Sequence, residues 1–257
     1  MIRVIFGALT IVAAAIAAPA GAVAGDPPRA FVELFTSQGC ASCPAADALL
    51  GDLEADEGIL AVTMPVKLWD FLGWEDTLAT EGATKRQMAY AVSRGDRDIY
   101  TPQMVVNGTD DVVGSDRPAI LRAVKSGDGA LPVRIDLEIR AGVLHVDVDA
   151  ADTTHDKANL WVFIVDEKVS VPIRGGENRG RKLTYHNVVR EMRPIGMWTG
   201  KAMSLDLPLS DLEKLPRAGC YVVAQVETFK GPGPVIGAAK LSRIFPARSV
   251  ARQRRTN

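Results

Sequence analysis

Cysteine is scarce in this 257-residue chain, with three in all, and histidine is equally scarce, again with three. Three cysteines exclude a framework of disulfide staples; there is one close pair, Cys40 and Cys43, and one odd thiol, Cys220. A zinc site would want a second C-x-x-C or a His pair, whereas His145, His155 and His186 are scattered singly. An excess of one charge is also lacking. The formal net charge of −1 gives no ground for a polyanion or a membrane surface as partner, so no nucleic acid is expected. After the N-terminus no apolar stretch approaches bilayer length. There is no internal repeat.

The apolar run that is present, Val4 to Ala18, follows the short positive start Met1-Ile2-Arg3, and Ala22-Val23-Ala24 offers a small-x-small cleavage site. This reads as a secretory signal peptide over residues 1–24, because the core is short and no stop-transfer pattern follows. The mature protein is therefore expected to be exported, periplasmic or secreted, and soluble, with no membrane insertion after signal cleavage. A leader occupies residues 25–30.

The chain is organised around Phe31-Val-Glu-Leu-Phe-Thr-Ser-Gln-Gly-Cys40-Ala-Ser-Cys43-Pro44. An apolar run rich in β-formers predicts a buried strand over 31–36, and an Ala/Leu/Asp-rich pattern predicts a helix from about Ser42 to Ala55. The C-x-x-C pair falls between them, where the unpaired N–H groups and the positive end of the helix macrodipole favour thiolate over thiol. Pro44 fits the first helical turn, and Asp47 lies near its positive end. The spacing alone admits a structural disulfide, a metal site or a redox pair. The strand–CxxC–helix context favours the redox pair, so the metal assignment is none and the only redox group expected is the disulfide itself.

Ile59 to Val66 reads as a second central strand, followed by the aromatic, acidic loop Lys67-Leu-Trp69-Asp70-Phe-Leu-Gly-Trp74-Glu-Asp76 and a helix over 80–93. Thr101-Pro102 precedes an apolar strand that turns at Asn107-Gly108 and returns as Asp110 to Val113. Ser115 to Val124 makes a capped helix with Pro118 in its first turn. The order is β-α-β-α-β-β-α over 31–126, with helix-joined strands parallel and the terminal hairpin antiparallel. Beyond the hinge Ser126-Gly-Asp-Gly129, period-two strands recur from Pro132 to Leu241, which predicts an antiparallel β-sandwich over 131–245. A polar excursion, 174–187, interrupts it. Cys220, in a strand-like run, reads as an inert buried side chain. The tail 246–257 is basic and polar, and is expected to be flexible.

The front stretch with its CxxC, together with Thr-Pro-x-x-x-x-Asn-Gly at the back, resembles the thioredoxin superfamily in a glutaredoxin-sized version. The combination of Glu33-Leu-Phe-Thr-Ser-Gln-Gly-Cys-x-x-Cys-Pro-x-Ala-Asp47, Trp69-Asp-x-Leu-Gly-Trp74 and Tyr100-Thr-Pro-Gln-Met-Val-Val-Asn-Gly108 resembles more narrowly the DUF1223 family, exported thioredoxin-like proteins. The resemblance implies that Cys40 and Cys43 are the redox pair, that Thr101–Pro102 is cis, and that Thr101 and Pro102 flank a substrate groove. Gly39 stands where thioredoxin has an aromatic residue, and Ala41-Ser42 replaces its Gly-Pro. No buried acid is recognisable beside the resolving cysteine; Asp70 is the nearest candidate.

The activity expected is thiol–disulfide exchange through a mixed disulfide, Cys40 attacking and Cys43 resolving, with Cys40 the more exposed and more acidic sulfur. Lys67 is a candidate for lowering its pKa, and Trp69, Asp70 and Trp74 are candidates for the groove. The excursion's Glu177, Asn178 and His186 are candidates for reaching the CxxC face. The partners expected are a protein or small thiol or disulfide substrate and a separate redox partner. Two other classes fit the same residues. One is a binding or assembly module whose CxxC holds Cu(I) or only a structural disulfide; the other is a sensor whose disulfide changes how the two halves dock.

Overall fold

Glu33 is as deeply buried as its apolar neighbours in β1 (Ala30–Thr36), a strand covered on both faces along its whole length. A computed structural model describes residues 26–127, 129–212 and 218–242. The expected signal peptide and basic tail lie outside the described residues. β1 runs parallel to β2 (Ile59–Pro65), in register from Ala30↔Ile59 to Thr36↔Pro65, with α1 (Cys43–Leu53) as the crossover. α2 (Glu81–Arg94) is capped by Thr80, whose hydroxyl accepts the Ala83 amide at 3.1 Å, and ends at Gly95 with φ +87°.

β3 (Gln103–Val106) departs from the expectation for helix-joined strands. It lies on the other side of β1 from β2 and runs antiparallel to it, with Phe35 opposite Gln103. The eight residues 95–102 between α2 and β3 account for this: extended, they reach about 26 Å, enough to return the chain to the end of the sheet from which β1 exits. The peptide bond Thr101–Pro102 is cis. β3 and β4 (Asp110–Val113) form the hairpin expected at Asn107-Gly108, both of which have positive φ, +50° and +74°, as a type I′ turn requires. The Asn107 side chain accepts the Phe31 amide at 2.8 Å, in keeping with its reading as turn chemistry. α3 (Arg117–Ser126) follows, capped by Asp116.

The second half contains the antiparallel layers expected of a sandwich over 131–245, but one of them is continuous with the sheet of the first half. β5 (Ile135–Arg140) and β6 (Val143–Val148) form a hairpin, and β7 (Ala158–Pro172) pairs with β8 (Lys182–Trp198) in a long one. β9 (Met203–Pro208) joins β6, and β10 (Ala218–Thr228) pairs with β11 (Gly231–Leu241) and with β7. Two antiparallel layers do face each other, packed through Leu144, Val146, Leu160, Val162, Trp198 and Val222. Burial worth about 1.5–3 kcal/mol for each large apolar side chain holds the β5-β6-β9 layer in place. The other layer, however, continues the sheet of the first half. The strand order is β11-β10-β7-β8-β2-β1-β3-β4, giving eight strands in one mixed sheet beside the three-stranded antiparallel one.

The junction is a single parallel bridge, Thr63↔Val188, reinforced by side chains. Thr63 donates to the His186 carbonyl at 2.6 Å, and Asn187 donates to the Ala61 carbonyl at 3.0 Å. A second tie is buried between the halves. Arg86 of α2 donates to Glu33 of β1, to the Tyr90 hydroxyl at 2.9 Å and to Gln225 of β10 at 2.8 Å. Its guanidinium also lies 5.0 Å from the centre of the Tyr90 ring and 5.2 Å from that of Phe163.

Candidate functional site

The antiparallel register of β1 and β3 brings the end of one strand to the start of the other, and so places Thr101-Pro102 beside the loop that carries the cysteines. Cys40 and Cys43 are joined by a disulfide at the start of α1, with Pro44 in the first turn. Cys43 is completely buried and Cys40 is 4% exposed, while Ala41 and Ser42 between them face solvent. The Thr101 carbonyl oxygen is 3.6 Å from Cys40 Sγ, and the Ser42 hydroxyl is 3.4 Å from it.

Three segments hold this corner. Gly39 explains itself here: a Cβ at that position would sit 2.9 Å from Trp69 Cβ, so the loop after β2 can close over the cysteines only because no side chain is present. Trp69 in turn donates its indole N–H to the Thr101 hydroxyl at 2.7 Å, and Trp74 donates to the Gln38 side chain at 2.8 Å. Asp76 is buried and accepts the amides of Gln38, Leu78 and Ala79 at 2.7, 2.8 and 3.1 Å. Burial raises its pKa against the pull of those three amides.

The tip of the β7–β8 hairpin supplies the third segment. The polar excursion is shorter than expected, because 182–187 belong to β8, paired from Pro172↔Lys182 onward. Within the tip, Asn178 is fully buried and donates to the carbonyls of Gln38 and Cys40 at 3.0 and 2.8 Å, while Arg181 donates to its oxygen at 2.8 Å. The exposed Glu177 carboxylate accepts the Ala41 amide at 3.3 Å.

Three expected participants are elsewhere. His186 lies eight residues along α1 from Cys43, about 12 Å at 1.5 Å per residue, packed against Gly51 with Nδ1 3.2 Å from Glu54. Lys67 pairs with Glu81 at 3.5 Å instead of turning to the cysteines. Asp70 accepts the Asp76 amide at 3.0 Å and so braces the loop.

A second buried acid of this region is Asp47, one helical turn after Cys43 and 3% exposed. Burial pushes its pKa up to about 8; the Thr36 hydroxyl works against the shift and the Asp76 charge with it. Its place near the start of α1 was legible in the sequence, its burial was not. Gln38 and Asp76 lie in stretches the sequence singles out, but their hydrogen-bonding roles at the CxxC turn depend on the loop after β2 folding back on it. Cys220, in β10, is buried and burial pushes its thiol up to about 12. Among the described residues no three His, Cys, Asp or Glu side chains cluster as metal ligands, and no helix is long and apolar enough to cross a membrane.

The chain is similar to two solved structures. Protein AGR_C_4864 from Agrobacterium tumefaciens is 32% identical, with a TM-score of 0.76 over 85% of this chain and 96% of that one. HBP35 of Porphyromonas gingivalis is 12% identical, with a TM-score of 0.58 over 84% of this chain and 75% of its own, a likeness of fold alone. No curated protein gives a significant match. The model of the DUF1223 family, described as proteins of unknown function, matches residues 31–226, and the chain belongs to that family.

Proposed function

We propose that the protein is an exported thiol–disulfide oxidoreductase with a thioredoxin-like first half. The observation that carries the reading is the Cys40–Cys43 disulfide at the start of α1, with the Thr101 carbonyl 3.6 Å from Cys40 Sγ. Strand order β2-β1-β3-β4 and the cis bond before Pro102 support the thioredoxin-like reading.

In this reading the reduced Cys40 thiolate attacks a substrate disulfide, forming the mixed disulfide and expelling one substrate thiolate. Cys43 then attacks Cys40 Sγ, closing the Cys40–Cys43 bond and releasing the second thiolate. The enzyme pair loses two electrons and the substrate gains them; a separate redox partner restores the dithiol. The Thr101 backbone offers a hydrogen-bonding edge to an extended peptide. Trp69 and the 76% exposed Phe71, whose ring centre is 6.1 Å from that of Trp69, form an apolar wall beside it.

The test is the reduction potential of the pair in residues 25–257, by equilibration with glutathione or dithiothreitol, combined with turnover of a protein disulfide. A reversible couple between roughly −270 and −120 mV is expected, the span of dithiol oxidoreductases, with turnover abolished by Cys40→Ser. A potential below about −300 mV, with no turnover, would mark a structural staple and overturn the reading.

A further inference from the structure

Glu177 is the charge that touches the turn between the two cysteines. Its carboxylate accepts the Ala41 amide at 3.3 Å, and among the described residues no cation stands within ion-pair distance of it. The Ala41 nitrogen is four bonds from Cys40 Sγ, so the carboxylate lies within about 8 Å of the sulfur.

The backbone on either side of Glu177 is held. Asn178 is anchored by the Gln38 and Cys40 carbonyls. Before it, the chain lies against Trp74: a Cβ on Gly175 would stand 2.8 Å from the Gly73 carbonyl oxygen and 3.3 Å from the indole, and Gly176 turns the chain with φ +66°. The charge is therefore delivered to one place, on the tip of a hairpin from the other half of the molecule.

Most other charged groups around the turn are buried or engaged. Asp47 and Asp76 are buried. Asp70 accepts the Asp76 amide, Lys67 pairs with Glu81, and Arg181 donates to Asn178. The first turn of α1 carries no charged residue. Glu75 on the loop after β2, with Arg174 and Arg179 on the tip, is exposed and supplies a background that a substitution at 177 leaves unchanged. Trp69 and Phe71, beside the Thr101 edge, are uncharged.

We propose that Glu177 selects substrates by charge, admitting cysteines flanked by neutral or cationic residues and disfavouring anionic disulfides and thiols such as oxidised glutathione. The inference rests on the oxidoreductase reading. A substrate carboxylate brought to Cys40 meets a like charge that the hairpin holds in place, and like charges set opposite each other are a general means of rejecting a wrong partner. For two unit charges about 8 Å apart the effect on a rate is about twofold in water and about thirtyfold at the effective dielectric constant of about 20 found near protein surfaces. Asn178 holds the same turn by hydrogen bonds alone, so structure and charge reside in neighbouring residues and are separable by mutation.

The experiment compares alkylation of Cys40 by iodoacetamide and by iodoacetate, reagents of nearly equal size that differ by one negative charge. Reduced residues 25–257 are used, and modification of Cys40 is followed by peptide mass. Thiolate content and access to the sulfur affect both reagents alike, so the ratio of the two rate constants reads charge. Glu177→Gln keeps an oxygen for the Ala41 amide and loses the charge. At about 10 mM ionic strength it is expected to lower the iodoacetamide-to-iodoacetate ratio by about two- to thirtyfold, and the difference should nearly vanish at about 1 M salt. Glu177→Asp, which keeps the charge, should keep most of the wild-type ratio. Equal ratios in wild type and Glu177→Gln at low salt overturn the proposal. So does a difference that high salt leaves intact, an Asp variant that behaves like the Gln variant, or a Cys40 that neither reagent reaches. None of these outcomes depends on the reduction potential or on turnover of a protein disulfide, so the charge selection and the oxidoreductase reading fail separately.

Discussion

The side-chain amide of Asn178 donates to the backbone carbonyl of Cys40 at 2.8 Å, across 138 residues of sequence. The same amide holds the Gln38 carbonyl, so one side chain from the tip of the β7–β8 hairpin fixes both ends of the turn that leads into the cysteines. The second half therefore reaches the turn that carries the cysteines, through Asn178 and Glu177.

Replacing Asn178 with Ala orphans two buried carbonyl oxygens. The expected loss is about 1–3 kcal/mol, the cost of leaving such groups unsatisfied. Guanidinium unfolding of the oxidised protein measures it, and alkylation of Cys40 in the reduced protein should become faster as the turn loosens. Unaltered stability and alkylation would show that the hairpin tip does not hold the turn.

Asp47 gives stability an unusual dependence on pH. Its ordinary value is 3.8 and its folded value about 8, so between those values the folded state holds a proton that the unfolded state has released. The contribution of this group is complete below about pH 4 and falls as pH rises, by about 1.4 kcal/mol per unit, until it levels off above pH 8. The difference in unfolding free energy between the oxidised wild type and Asp47→Asn, followed from pH 5 to 9, isolates the slope. A difference independent of pH would contradict the raised pKa.

Arg86→Ala leaves the Glu33 carboxylate in the core without its cation. Breaking a buried pair from one side costs about 3–5 kcal/mol, whereas replacing both partners by apolar side chains of similar volume is often close to neutral. Arg86→Ala should therefore lower the midpoint of denaturation strongly, and Glu33→Leu with Arg86→Met should recover most of the loss. If the double variant is as unstable as the single one, the network does more than compensate its own burial.

Gly39→Ala puts a methyl group against the Cβ of Trp69, a rigid part of that side chain, and against its carbonyl at 3.3 Å. Overpacking of this kind costs about 1–3 kcal/mol. Since Trp69 also holds the Thr101 hydroxyl, the displacement should reach the residue whose carbonyl faces Cys40. Thermal unfolding and the reduction potential of the pair together report it; a shift in neither would mean that the loop yields freely.

The sequence by itself determined what depends on neighbours in the chain. The apolar, β-former-rich run Phe31 to Phe35 makes a strand, Pro44 and the Ala/Leu pattern start α1, Asn107-Gly108 makes the hairpin, and Cys40 and Cys43 are close enough in sequence to form one bond. Each follows from local torsional preference or from burial along one element. Tertiary structure decided which edges and faces meet. The exposed edge of β2 and the edge of β8 joined two halves into one sheet, because an unpaired row of backbone groups is satisfied by any strand that reaches it, and no residue type announces that pairing. The same long-range packing sent His186 to the far end of α1, brought Asn178 to the Cys40 carbonyl, and closed β8 over Asp47. A carboxylate that reads as a favourable charge at a helix start becomes, once Tyr185 and Thr36 cover it, a buried acid with a pKa of about 8, because desolvation depends on what covers a group and not on what precedes it.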